Sequence, residues 1–372
     1  LLYGVKANEP FRCSTTWICN RFLYSNRDRY IYCNKQLYEK DEFGMYRLCQ
    51  HALQSVVFSH LKQLRESCEM NKIRYSKSEK GSEEHGLLKE SNKLLGKIDN
   101  EAVAIVNHIR ANLTDHLFLD KVDSDTSLLP FDNGVLNLNH VDRGVRKATV
   151  NEYVMKKCRY SFVKASTEEI SVLKSKLLPL FASQEEIDFR LMYAAKCLIR
   201  SNTEEIILFE FGRSDVLRYV EEAVFGDYLA SLSPDAFIAR TREARREKSI
   251  DIHSAKNCRM WVCNNLEMDR YNRLDRTQLN NFILRLSSRR RLNHENRMVT
   301  IKAPPIIISF QGRPALRYLP GLHAIRYNKI PAPHLLKDEL VAKQTVYMSM
   351  LLDYLEVYRA KGLNIPASIR NL

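Results

Sequence analysis

The chain has 372 residues, 45% of them hydrophobic and 27% charged, which is close to a soluble globular composition and long enough for two or three domains. No run of about 18 apolar residues occurs, which excludes a membrane-spanning helix. Only 12 Gly and 11 Pro are present, too few for a linker-rich or disordered chain. The net charge of +14 and pI near 9.3 point to a polyanionic partner, of which nucleic acid is the commonest.

The opening LLYGVKANEP has no apolar signal-peptide core and no initiator Met, so a fragment of a longer protein is expected. Residues 20–50 alternate aromatic and polar positions, with Phe22, Tyr24, Tyr30, Tyr32 and Tyr38, and predict short strands separated by Asn-Arg-Asp and Asn-Lys turns. From Tyr46 to Leu64, the positions Leu48, Ala52, Leu53, Val56, Val57 and Leu61 predict an amphipathic helix. Residues 71–92 are polar and charged and predict a loop; Ile98, Val103, Ile105, Val106 and Ile109 then predict a helix over 98–112. The segment Leu128–Leu138, LLPFDNGVLNL, predicts an Asn-Gly turn entering a strand.

After residue 165 helices and apolar strands alternate. Helices are expected at 168–181, 184–200 and about 215–225, buried strands at 206–211, 259–264 and 305–311, and a last helix at about 338–361. Apolar strands separated by helical patterns predict a parallel three-layer α/β sheet. The nine cysteines, Cys13, Cys19, Cys33, Cys49, Cys68, Cys158, Cys197, Cys258 and Cys263, include no CxxC pair. Their odd number and wide spacing predict buried, reduced thiols in an intracellular protein, ahead of a metal site built from the first four.

Four landmarks occur in order: LLPFDNGVLNL (128–138), a strand-loop-helix ending in FGDY (206–228), CRMWVCNNLE (258–267) and PPIIISFQGRPAL (304–316). They resemble the helicase portion of the primase–helicases of poxviruses and other large DNA viruses, as does the closing KGLNIPASI (361–369). The family joins a primase to a superfamily 3 helicase, an AAA+ motor that forms a hexameric ring on DNA. The resemblance implies an α/β, AAA+ three-layer parallel sheet domain over 166–335. A mixed, mainly helical N-terminal domain over 1–165 precedes it, and a helical tail over 336–372 follows. Its implied partners are single-stranded or forked DNA, like subunits in a homo-oligomer ring, and other replication proteins. It implies no membrane, and host cytoplasm or nucleus for a viral chain.

Departures from the family pattern fall on the chemistry. A phosphate-cradling loop needs G-x-x-x-x-G-K-[ST] between strand and helix, because backbone amides and a lysine neutralise the phosphates. Here the chain reads FEFGRSDVLRYV, offering Gly212, Arg213, Ser214 and Asp215 as the nucleotide-binding candidates. Asp215 at the helix start adds negative charge where a phosphate would sit, although it also suits a helix cap. At the acidic strand end that holds magnesium in the family stands Asn265, with Glu267 two residues on; Gln311 takes the polar sensor position. Arg326 matches the arginine that reaches a neighbouring subunit's ATP, and Ser287-Ser288-Arg289 replaces a Gly-rich bend. ATP and Mg2+ are therefore cofactors only if the protein is active.

Positive charge persists where the family carries its DNA-gripping hairpin: Arg285, Arg289, Arg290, Arg291, Arg297 and Lys302. Clustered arginines pair with phosphates, and without interleaved aromatics the binding is backbone-directed and sequence-tolerant. A second cluster, Arg240, Arg242, Arg245, Arg246 and Lys248, suits a subunit interface or the same channel. The expected function is a superfamily 3 helicase-like DNA-binding protein with ATP hydrolysis impaired or lost. Two alternatives stand beside it: an active ATP-dependent DNA helicase using Arg213, Glu267 and Arg326 in a divergent loop, and a non-catalytic replication scaffold.

Overall fold

The computed structural model describes residues 14–201, 203–212, 215–238, 255–266, 274–284, 288–291, 298–301, 303–310, 322–328 and 333–370. The chain divides into two compact units: Leu1–Val122 with Ala148–Met155, and Asp123–Lys147 with Lys156–Leu372.

The first described element of the first unit is helix α1 (Thr15–Asn26), where Ser14 caps the N-terminus by accepting from Trp17 N. The strand expected over residues 20–26 is thus corrected to helix. Ile18, Cys19 and Phe22 fall at helical spacing and are all buried, and that burial decides the conformation. Strands β1 (Tyr30–Cys33) and β2 (Gln36–Lys40) form a hairpin. Its two turn residues, Asn34 and Lys35, are both left-handed, at φ 48° and 64°, as a two-residue hairpin requires. Strand β3 (Tyr46–Leu48) pairs with β2, so the expected helix starts later, as α2 (Leu53–Arg74).

Helix α3 (Glu83–Leu113) is twice as long as expected. Ser82 caps it by accepting from His85 N, and Glu83 and Glu84 complement the helix dipole in the first turn. The predicted loop over 71–92 shrinks accordingly. Val57, Leu61 and Leu64 of α2 pack with Leu94, Ile98, Ile105 and Ile109 of α3 in one core. A short helix α4 (Phe118–Lys121) sets Phe118 against Tyr38 and Tyr46.

The second unit opens with β4 (Leu128–Phe131), β5 (Gly134–Asn137) and β6 (Val145–Arg146), a three-stranded antiparallel sheet. Helix α5 (Thr167–Leu177) starts at a capping box between Ser166 and Glu169; α6 (Gln184–Cys197) follows. Then come β7 (Ile207–Phe211), α7 (Asp215–Phe225), β8 (Leu229–Leu232), β9 (Met260–Leu266) and α8 (Arg276–Ile283). A separate antiparallel ribbon, β10 (Ser288–Arg291) with β11 (Met298–Ile301), precedes β12 (Ile306–Phe310) and β13 (Leu322–Arg326). The expected closing helix is two helices, α9 (Pro333–Ala342) and α10 (Gln344–Lys361), with α11 (Ala367–Arg370) behind them.

Strands β13, β7, β12, β9 and β8 form one parallel sheet in that order. Leu208, Val262, Ile307 and Ile325 face a core shared with α5, α6, α7, α9 and α10. Ile207, Phe209, Cys263 and Ile308 face the opposite core, with Leu279 and Phe282 of α8. Each such fully buried aliphatic or aromatic side chain contributes about 1.5–3 kcal/mol, which fixes the register. The predicted α/β class with a parallel, helix-flanked sheet is the observed one. Among the described residues no helix is long and apolar enough to cross a membrane. The eight described cysteines are free thiols; burial raises Cys19 to about 11 and Cys263 to about 12.

Candidate functional site

In an open parallel sheet, ligands bind beyond the carboxyl ends of the strands, where the strand order reverses. Here that point is β7. It lies between β12 and β13, whereas the next strand in sequence, β8, is at the far edge. The register places Arg326, Phe211, Phe310 and Leu266 in one row across the carboxyl ends of β13, β7, β12 and β9. Gly212, Gln311 and Glu267 each follow a member of that row in sequence. Three of the four landmarks, with Arg326, are therefore brought to one end of one sheet, while LLPFDNGVLNL forms the separate β4–β5–β6 sheet.

The individual candidates fare differently. Gly212 has φ +90°, and a Cβ there would lie 2.9 Å from the carbonyl oxygen of Tyr327, so only glycine suits this close approach. Three residues, Gly212 to Ser214, separate the end of β7 from the start of α7, against the eight of the phosphate-loop motif. Asp215 is the first residue of α7. Asn265 lies on β9 one residue before Leu266, within a β-bulge that sets Asn264 and Asn265 against Ser309 alone. Arg326 is exposed at the end of the edge strand β13. Arg213, Ser214, Glu267, Gln311, Arg285, Arg297, Lys302 and the whole cluster Arg240, Arg242, Arg245, Arg246 and Lys248 lie outside the described residues, as does Cys13. Arg289, Arg290 and Arg291 form most of β10, paired with Thr300, Val299 and Met298.

Beside the β7–α7 connection lies a buried polar cluster that the sequence reading missed. Arg190 of α6 donates through Nε to Glu210 Oε1 of β7 at 2.7 Å. Its two Nη atoms donate to both oxygens of Glu221 on α7 at 2.7 and 2.9 Å. Tyr327, just past β13, donates to the same Glu210 oxygen at 2.6 Å, and Tyr347 of α10 reaches Glu221 at 3.5 Å. Burial opposes the charge on Arg190, but Glu221, Tyr327 and Glu210 outweigh it and hold the guanidinium protonated. Burial raises Glu210 above its ordinary value, with Arg190 opposing. Glu210 alternates with the apolar residues of β7, and that single charge in ILFEF was the available signal.

The two most recognisable phrases turn out to be braces. In PFDNGVLNL, Asn133 accepts from Phe162 N and donates to Phe162 O, both at 3.0 Å, while Asp132 N donates to Tyr160 O at 2.9 Å. In FGDY, Gly226 has φ +52°, and its missing Cβ would lie 2.7 Å from Lys157 O. Asp227 accepts from Lys157 N at 3.2 Å and from Arg159. Both phrases therefore hold residues 157–162 and contribute no reacting group.

Charge is uneven along the chain. The first unit has 19 basic against 16 acidic residues, the second 39 against 28; within the second, residues 239–302 hold 16 against 7. Most of the net charge thus sits in the segment between β8 and β12 that contains the β10–β11 ribbon. Among the described residues no group of three or more His, Cys, Asp or Glu is placed to hold a metal.

A parallel five-stranded sheet with helices on both faces, and a strand followed by a helix at its reversal point, defines a three-layer α/β domain. No protein-family model and no curated protein matches the chain. Among solved structures it is similar to the A-form apo C-terminal region of NrS-1, at 13% identity and TM-score 0.40, over 60% of this chain and 53% of that one. A second structure of that region aligns at 11% identity and TM-score 0.46, over 91% and 68%. The JCV helicase aligns at 9% identity and TM-score 0.34, over 96% and 95%. The chain spans about half the length of the first of these. The class stated above rests on the sheet's own topology.

Proposed function

We propose that the chain is a superfamily 3, AAA+ helicase-like protein of viral-type DNA replication that holds DNA and does not turn over ATP. The observation that carries the DNA reading is the β10–β11 ribbon. It is inserted between β9 and β12, three of its four β10 residues are arginine, and it belongs to the most basic stretch of the chain. An arginine-rich ribbon neutralises phosphates and reads no bases, so binding is sequence-tolerant and salt-dependent.

The ATP reading is supported by the β7–α7 connection. Its three residues leave no counterpart to the amide-lined cradle, and Asn265 cannot act as a base. The residues present do not fit a tightly held Mg-ATP, and no chemical step is assigned to it. Arg326 remains a candidate contact to a neighbouring subunit in a ring.

Single-stranded oligonucleotide binding by the full chain, followed by fluorescence anisotropy across salt concentration, tests the first part. Changing Arg289, Arg290 and Arg291 to Ala should lower the slope of log affinity against log salt by about 2, the value for three lost contacts to a single strand. Unchanged affinity and slope would leave the scaffold alternative in place. Micromolar, magnesium-dependent ATP binding would restore the active-helicase alternative through Arg213 and Glu267.

A further inference from the structure

The Arg190 cluster ties together five parts of the second unit: α6 through Arg190, β7 through Glu210, α7 through Glu221, the end of β13 through Tyr327, and α10 through Tyr347. Two of these flank the three-residue connection. Glu210 lies two residues before Gly212, and Glu221 lies in the second turn of α7. A third bears on it directly: Tyr327 N donates to Phe211 O at 2.9 Å, and Tyr327 O blocks any side chain at Gly212.

We propose that this cluster is a built-in lock that fixes α7 against the end of β7 without a bound ligand. The inference rests on the reading that this connection does not bind nucleotide. In a phosphate-binding strand-turn-helix, the anion itself draws the helix N-terminus and the loop amides together. Here the guanidinium lies inside the protein and its counter-charges come from the strand and the helix on either side of the connection. The five donors of a guanidinium in a fixed fork make it suited to join two carboxylates on separate elements. Arg190 directs three N–H groups at Glu221 and Glu210, and the Nε–H is shared with the Tyr327 hydroxyl at 3.1 Å. Because such a cluster is satisfied only when all members are in place, it favours one arrangement of α7 over others.

Hydrogen exchange on the full chain, comparing the parent with Glu221→Gln, tests the lock. The substitution keeps shape and removes one of the two counter-charges. The amides of residues 217–225 should exchange about tenfold faster, the scale of one lost charge-assisted hydrogen bond, while those of β9 and α8 stay near parental rates. Equal rates in residues 217–225 of parent and variant would overturn the lock. So would a uniform rise across β9, α7 and α8, which marks an ordinary loss of global stability. Should Glu221→Gln not fold, Tyr327→Phe removes one hydroxyl from Glu210 and supplies the same comparison, with an expected rise of about threefold. A parallel arm with millimolar Mg-ATP tests the underlying reading separately: new protection at the start of α7 in the parent would contradict that reading, whereas the variant arm alone decides the lock.

Discussion

The two units solve the same problem, burying a core, with different materials. The first is a helical hairpin with a small antiparallel sheet, nearly balanced in charge, and its polar residues lie mostly at caps and surfaces. The second buries a full ion cluster beside its sheet end and carries the excess positive charge. A buried ion pair is a weak source of net stability, because desolvation offsets the attraction. Its presence in one unit and not the other among the described residues is the contrast on which the proposed lock at the β7–α7 junction bears.

The largest expected effect breaks this contrast at its centre. Arg190→Met strands two buried carboxylates and should cost the second unit roughly 3–5 kcal/mol. Adding Glu210→Gln and Glu221→Gln to it should recover a large part. The two tryptophans make the measurement unit-specific: Trp17 lies in the first unit and the buried Trp261 in the second. Urea unfolding followed by fluorescence in a Trp17→Phe background reads the second unit alone, and an unmoved midpoint for Arg190→Met would contradict the account.

A smaller effect is expected at Gly212. Its left-handed backbone and the carbonyl of Tyr327 at 2.9 Å make Gly212→Ala cost about 1–2 kcal/mol; Gly86, in open space in α3, should tolerate Ala without loss. Denaturant midpoints of the two variants check the difference.

The smallest is a pH effect confined to the first unit. His60 of α2 stacks edge-on to Phe22 at 5.3 Å, and burial, aided by Arg21, pushes it below its ordinary value of 6.5. A lowered histidine binds fewer protons folded than unfolded, so its contribution is intact above 6.5 and is lost as the pH falls from there. Comparing His60→Gln with the parent at pH 7.5 and 5.5 should show the parent losing more stability on acidification. Equal losses would remove His60 as the cause.

Much of the sheet was legible because its strands are apolar runs with turn signals, and helix α7 was placed at its observed bounds. Strands β8 and β13 were missed: LASL and LHAIR are too short and mixed to announce a strand, and only pairing with β9 and β7 makes them so. The first half of α3 was missed for a different reason. Its sequence EEHGLLKESNKLLGK lacks a continuous apolar stripe, and a Ser82 cap with Leu94 and Ile98 suffices. The order of the candidate landmarks was legible, and the register brings the last three of them to one sheet end. The Arg190 cluster was not, since its partners stand 20, 31 and 137 residues away from it in sequence, and Glu210 inside an apolar strand was the one local sign of it.

Whether the second unit grips DNA by charge and without nucleotide is decided by one salt titration. Binding of a single-stranded oligonucleotide to the full chain would be followed from low to high salt, with and without Mg-ATP. Charge-held, nucleotide-independent binding gives one common line that falls steeply with salt. Two separate lines, or a single line that is flat, would contradict it.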